Sequence, residues 1–589
     1  MSITALWSTK GASESTRAHW RVLVALLPLV PLWYFGMFGR EIWTPDEPRE
    51  FNIAYNMLVT GDVVLPRLAG EPFLEKPPLA YWAGSASMAA MGPSAPVARV
   101  PNLIWALLAT LCVAVLAADF VPKERRGQAA ILAALSFNSM SLIAQTQIWL
   151  ATDAPLLAFT AAALLSLWRL MQASSPSLQF AWAIAFGTSL AGAFLSKNGV
   201  GLLVPGATLL VWLAWERRLG ALLRWPVLVA AGWFCLCVGP WLIALLRSPE
   251  GSTHLSTLLW DNLVARFLPV ESNSDYDLGH RSSHWEFLLS LPVYVLPWTV
   301  AWWAAGRWGV RTLRSQSSPT LRSATRFCLA ATVPACIVFL LSRTARGVYF
   351  GPALIGGALL VAAWLTIPSE QLTSAEQTMH RWTRRTLYAL AILLAGLSLV
   401  LLAFAGLGTT AVLLLIVAAL CIIAASNAIR QLLDPLQRSI AGAASAFILA
   451  LVCLEAVAFP VFDRSQDLGR LLSQAAPQLP AAALYCGDET TRAVLDTRTG
   501  LRLPGVCGAD SARALLAREP NQKFLVLLKR PSTKIRLREL FPATGHGTEP
   551  QRPPSGPNAA ALSQLGLQPL AQWTLPGGRA YALYGAKQE

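Results

Sequence analysis

The chain has 589 residues, 54% of them hydrophobic and 13% charged, against about a quarter charged in ordinary soluble proteins. So few charges cannot cover a soluble surface, and the composition is equally unlike that of a disordered, collagen-like or coiled-coil chain. The net charge of +15 comes from short basic groups set between apolar stretches, which argues against a nucleic-acid partner and for a polytopic membrane protein.

A spanning helix needs about 20 mostly apolar residues. Spans are predicted near 20–38, 98–118, 128–146, 153–171, 179–195, 200–215, 225–246, 286–306, 327–342, 348–366, 386–405, 408–424 and 439–461, thirteen in all. The first is too long for a signal-peptide core and no small-residue cleavage site follows it, so it is expected to remain. Basic clusters lie on alternate connections: Lys10, Arg17 and Arg21, then Lys123, Arg125 and Arg126, then Arg217, Arg218 and Arg224, then Arg307 to Arg326. The positive-inside rule then predicts a cytoplasmic N-terminus and, with an odd number of spans, an outward C-terminus.

Residues 1–461 are therefore expected to form a membrane domain with two long outward loops, about 39–97 and 247–285. Residues 462–589 are expected to form a small α/β domain on the same side. Short apolar runs such as Phe524-Leu525-Val526-Leu527-Leu528 alternate there with helix-like stretches such as Ser511 to Arg518. Seven of nine cysteines lie in apolar runs and read as packing residues. Cys486 and Cys507 lie in the polar tail, where an oxidising compartment predicts a disulfide between them.

The first loop is dense in charge within a chain that otherwise avoids it. Asp46 and Glu47 follow the first span, and Glu50 to Leu58 has the spacing of an amphipathic helix lying in the membrane interface. Gly61-Asp62 ends that helix, Glu71-Pro72 reads as a turn, and Glu75-Lys76-Pro77-Pro78 presents a charged pair before a rigid corner. Further outward charges are Asp153, Lys197, Arg266 and Arg346, the last followed by Tyr349. Acids at a helix start also serve as caps, and lysines at membrane edges also snorkel. Ionisable groups at membrane depth are nevertheless functional candidates by default. Asp46, Asp153 and Glu47 are the catalytic candidates. Lys76, Lys197, Arg266, Arg346 and Tyr349 suit a lipid phosphate, with cations for its charge and a phenol for a hydrogen bond. No cofactor is called for. A divalent metal, on Glu75, His280 and His284, is the one alternative. No nucleotide-binding loop is present, so the chemistry expected is group transfer from a lipid phosphate. A transporter or flippase of a lipid-linked precursor would place polar groups at the midplane rather than at one face.

The stretch DEPRE, followed by GDVVLPRLAGEPFLEKPPLAYW, resembles the first-loop signature of the aminoarabinose transferase family, which belongs to the GT-C-type, protein-mannosyltransferase-like glycosyltransferases. Similar matches occur at TDAP around Asp153, SKNG around Lys197, ARF at Arg266, PVYVLPW ending at Trp298 and SRTARGVYFGP ending at Pro352. The resemblance implies a helical membrane body with a C-terminal periplasmic domain in the bacterial inner membrane. It implies an inverting glycosyltransferase that takes a sugar, 4-amino-4-deoxy-L-arabinose among the candidates, from undecaprenyl phosphate to lipid A or another periplasmic acceptor. It puts Asp46 at the catalytic position, Asp153 at a second acidic position, and Lys76, Arg266 and Tyr349 at the donor phosphate. A protein or polysaccharide acceptor is the alternative within the same chemistry. The chain departs from the family pattern at Pro48, at Asn198, where glycine is usual, and at Arg346, where lysine is usual.

Overall fold

A computed structural model of the protein describes residues 20–264, 284–315, 317–342, 346–405, 409–529, 557–575 and 579–586. Among them, nine helices are long and apolar enough to cross a membrane, or eleven if two bent pairs each count as one span. Two shorter apolar helices, Leu29–Phe38 and Leu203–Trp215, fall on the two predicted segments that remain. Each of the thirteen predicted stretches therefore meets an apolar helix or a bent pair, but not every one is a straight span.

The bends have a local cause. Lys123–Asn138 and Ser141–Ile148 meet at 75°, and Leu288–Tyr294 and Thr299–Arg314 at 106°. Breaking a helix in an apolar layer frees backbone groups that no water can satisfy. Here the two corners satisfy each other. The Ser141 amide donates to the Leu296 carbonyl at 2.8 Å, the Ser141 hydroxyl to the Val293 carbonyl at 2.5 Å, and the Trp298 indole to Ser139 Oγ at 2.8 Å.

The first loop contains α1 (Asp46–Thr60), then the two-residue strands β1 (Arg67–Leu68) and β2 (Glu71–Pro72). Two acids in its first turn favour α1 through the helix dipole, and Gly61 at φ 72° closes it. Two expectations are corrected here. Glu71-Pro72 lies in a strand, and the turn falls at Ala69-Gly70. And α1 does not lie half in lipid: Glu47, Arg49, Glu50, Asn52 and Asn56 are buried along with Phe51, Ile53 and Met57. Its polar face is covered by protein that the amphipathic pattern could not reveal.

The membrane body continues through the bent pair α2 (Arg126–Asn138) and α3 (Ser141–Ile148), then α4 (Asp153–Gln172) and α5 (Pro176–Gly201). Close approach through small residues drives such packing in lipid. A Cβ at Gly192 of α5 would stand 2.3 Å from the Phe159 ring of α4. The last long helix, α6 (Pro435–Gln466), carries Asp463 and Gln466 near its end. These hold the segment before α1: Asp463 accepts from the Glu41 amide and the Trp43 indole, and Gln466 from the Thr44 amide and hydroxyl.

The cover over α1 is the C-terminal domain. Its strands and docking helix are β3 (Ala482–Tyr485), α7 (Glu489–Thr499), β4 (Gly505–Val506), β5 (Lys523–Lys529), β6 (Gln568–Thr574) and β7 (Ala580–Gly585). The strands form one mixed sheet in the order β4-β3-β5-β7-β6, with β3 parallel to β4 and β5 and the other pairs antiparallel. Alternation along the strands sends Leu484, Leu525 and Leu583 to one core and Tyr485, Phe524 and Tyr584 to the other. Cys486 and Cys507 are joined across the β3–β4 edge with Cα atoms 4.5 Å apart. The domain docks through α7. Asp496 accepts from Asn52 at 2.8 Å and Asn56 at 2.9 Å, and Arg502 donates to Asn56 at 2.9 Å.

Candidate active site

A cavity of about 330 Å³ opens between the first loop and the ends of α3, α4 and α5. Seven of the residues singled out from the sequence line it: Asp46, Glu75, Lys76, Asp153, Lys197, Arg346 and Tyr349. They come from five separate stretches of chain, so the fold gathers what the sequence disperses.

Asp46 opens α1 and sits between two guanidinium groups. Arg346 approaches it with Nη2 2.8 Å from Oδ2 and Nη1 3.2 Å from Oδ1, and Arg49 Nη2 lies 2.5 Å from Oδ1. Burial works against its ionisation, but Arg346, Lys76 and Arg49 outweigh it and hold the carboxyl well below the usual carboxylate range. Asp46 is therefore ionised and able to accept a hydrogen bond.

Asp153, in the first turn of α4, pairs with Lys197 Nζ. Lys197 stands where α5 breaks: its φ, ψ are −153°, 42° and those of Asn198 are 43°, −142°. A positive φ favours glycine, and asparagine is among the side chains that tolerate it best. The Lys197 ammonium also lies over the Tyr349 ring, 4.0 Å from its centre. Lys76 pairs with the buried Glu50 of α1. Burial alone would lower its pKa, yet Glu50 and Glu75 raise it well above the ordinary lysine value, so it is charged. Gly347 permits the close approach of Tyr294, since a Cβ there would stand 2.3 Å from the phenol oxygen.

Glu47 is set apart from the other acids. It does not line the cavity but is fully enclosed. Arg40 and Arg99 each bond both its oxygens, and the Trp43 and Leu150 amides donate to it as well. Burial opposes its charge, but Arg99 and Arg40 bring its pKa down to about 2. With every lone pair used, Glu47 ties the end of the first span to α1 and offers nothing to a substrate, so its expected catalytic role is withdrawn.

Arg266 and His280 lie outside the described residues, as does the His284 side chain. Among the described residues no group of three metal-ligating side chains gathers. The cavity also holds residues that sequence reasoning missed: Leu142, Gln145, Thr146, Trp149 and Tyr294. The available signal was Gln145-Thr146-Gln147, three polar side chains inside an apolar run. Gln147 turns inward instead, accepting from the Trp33 indole and donating to Asn138. Chemically, the site offers three cations, three carboxylates and a half-enclosed volume at one end of the helices.

The family pattern described as dolichyl-phosphate-mannose-protein mannosyltransferase matches residues 18–258. An undecaprenyl phosphate-alpha-4-amino-4-deoxy-L-arabinose arabinosyl transferase of Pseudomonas aeruginosa is 27% identical over 48% of this chain and 49% of that protein. Its counterpart in Serratia proteamaculans is 26% identical over 60% of each chain. The chain thus spans about half to three-fifths of the length of the curated relatives it matches. The fold is that of ArnT from Cupriavidus metallidurans, solved with undecaprenyl phosphate bound: 18% identity, a TM-score of 0.66, and coverage of 97% of this chain and 99% of that one. The apo form of the same protein gives a TM-score of 0.65.

Proposed function

We propose that the protein is an inverting glycosyltransferase that moves a sugar from undecaprenyl phosphate to an acceptor on the periplasmic face of the bacterial inner membrane. The observation that carries this reading is the cavity, in which an ionised carboxylate, Asp46, shares about 330 Å³ with Lys76, Lys197 and Arg346. In the reaction an acceptor oxygen bonds to the anomeric carbon while the bond from that carbon to the donor phosphate oxygen breaks. The phosphate leaves with the bonding pair, and the cations stabilise its charge. Asp46 takes the acceptor's proton. Asp153 holds Lys197 for the phosphate, and Arg266 is assigned to the same phosphate from the resemblance.

Orientation follows the same reading: the cavity and the C-terminal domain are outward and the N-terminus cytoplasmic, as the basic connections require. The names of the matched relatives support 4-amino-4-deoxy-L-arabinose as the sugar, and the first-loop resemblance makes lipid A the leading acceptor. The match to a protein mannosyltransferase pattern keeps a protein acceptor as the second reading. Mass spectrometry of lipid A from cells with and without the gene separates the two. One added aminopentose only in cells carrying the gene is expected, and an unchanged profile moves the acceptor to protein or polysaccharide.

A further inference from the structure

Arg49 divides its two terminal nitrogens between two carboxylates. Nη2 lies 2.5 Å from Asp46 Oδ1, and Nη1 lies 2.5 Å from Glu489 Oε2 in the C-terminal domain. Beside this pair, Thr490 Oγ1 donates to the carbonyl of Pro45, the residue before Asp46, at 3.0 Å. The first two residues of α7 thus rest on Arg49, in the first turn of α1, and on Pro45, the residue before that helix. The loop leading to them is pinned too, because Cys486, bound to Cys507, stands three residues before Glu489, and Asp488 caps α7 through the Thr491 amide.

The two cations on Asp46 differ in position. Arg346 lines the cavity and Arg49 does not. A phosphate entering the cavity competes with Asp46 for the Arg346 fork, since guanidinium binds either anion with two parallel bonds. Once Arg346 has turned to the phosphate, Arg49 is the partner left on Asp46. It then matters how Arg49 binds. With Nη1 engaged by Glu489, Arg49 holds Oδ1 alone and leaves Oδ2 open to the acceptor. Without Glu489, Nη1 is free to close on Oδ2, and a carboxylate clamped at both oxygens is a poor proton acceptor.

We propose that Glu489 is a positioning residue for transfer, through which the C-terminal domain keeps Arg49 on one oxygen of Asp46 and leaves the other for the acceptor. The inference rests on the reading of Asp46 as the group that takes the acceptor's proton. Glu489 touches no substrate in this scheme. Its side chain is 45% exposed, and the Arg49 guanidinium it leaves behind, 10% exposed, still has Asp46 to pair with.

The test measures steady-state transfer by the full-length protein with a polyprenyl-phosphate sugar donor, for wild type, Glu489→Gln, Glu489→Asp, Arg49→Lys, the Arg49→Lys/Glu489→Gln double variant and Asp46→Asn. Glu489→Gln is expected to lower kcat about tenfold or more while the donor KM stays within about twofold and Tm is unchanged. Glu489→Asp recovers most of the kcat. Lysine has one nitrogen and cannot bridge two carboxylates, so Arg49→Lys lowers kcat as well. Glu489→Gln then adds little in that background. Wild-type kcat in Glu489→Gln, a loss confined to KM, or fully additive losses in the double variant overturn the proposal. Asp46→Asn distinguishes the two levels: if it is inactive while Glu489→Gln is unaffected, only the positioning role falls, and if it turns over normally, the reading of Asp46 falls and takes this proposal with it.

Discussion

The Lys197 ammonium stands 4.0 Å from the centre of the Tyr349 ring while also pairing with Asp153. The ring face attracts the cation without neutralising it, so the charge stays available to a phosphate. Tyr349→Leu removes that surface. Its donor KM is expected to rise about 2- to 30-fold, matching the 0.5–2 kcal/mol of a cation–π contact. Tyr349→Phe keeps the ring and should lose less. Equal losses in the two variants, read from donor titrations, would assign the effect to the phenol instead.

Adjacent acids in the DEPRE stretch should fail in different ways. Asp46→Asn is expected to fold and to lose about 10²–10⁴-fold in turnover. Glu47→Gln leaves two buried guanidinium groups facing a neutral amide, and breaking such a pair costs about 3–5 kcal/mol. Its signature is a lowered Tm rather than a selective loss of kcat. Measuring both quantities for both variants checks the division; a stable, inactive Glu47→Gln contradicts it.

Acid sensitivity follows from the same residue. Glu47 has its folded pKa depressed from 4.5 to about 2, so the unfolded chain takes up the proton first as pH falls. Its contribution is complete above about pH 4.5 and is lost between there and about pH 2. A plot of Tm against pH should therefore be steeper in that window for wild type than for Glu47→Gln. Parallel curves would show that Glu47 carries no such linkage.

Much of this was legible in the sequence, for physical reasons. Lipid demands long apolar runs, so the positions of the helices could be read off, and a chain poor in charge makes each outward charge conspicuous. Asp46, Lys76, Asp153, Lys197, Arg346 and Tyr349 stood out in this way and share one cavity. The surroundings of Glu47 were not legible, because Arg99 and Leu150 reach it from distant segments. Nor was the burial of α1, whose polar face meets Asp496 of a domain some 440 residues later. Gln145 and Thr146 escaped notice because uncharged polar residues in an apolar run look like ordinary helix packing.

Lys76 has two duties that can be separated. It lines the cavity and also neutralises Glu50, whose side chain is 3% exposed. Lys76→Ala should lower both Tm and donor affinity, the latter by the roughly 1.5–3 kcal/mol of a charge-assisted bond. Adding Glu50→Gln removes the stranded charge. The double variant is expected to regain Tm without regaining donor binding. Recovery of both would make Lys76 a purely structural residue.

The Cys486–Cys507 bond closes a loop of 21 residues, for which chain entropy gives about 3 kcal/mol. Cys486→Ser/Cys507→Ser should lower the Tm of the full chain. Thiol labelling of denatured, unreduced wild-type protein should leave both cysteines unmodified. Labelling of both without reductant would show that the bond does not form in the cell.

The pairing of Arg49 with Glu489 spans 440 residues of sequence. At about 5–20 residues per second, a ribosome needs roughly 20–90 s to make the partner after the first loop has emerged. For that interval α1 exists without its cover, with Arg49, Asn52 and Asn56 lacking the partners that α7 brings. Biogenesis of the site therefore ends with its last-made part, and a nascent chain arrested before α7 would carry the cavity-lining residues without the contacts that order Asp46.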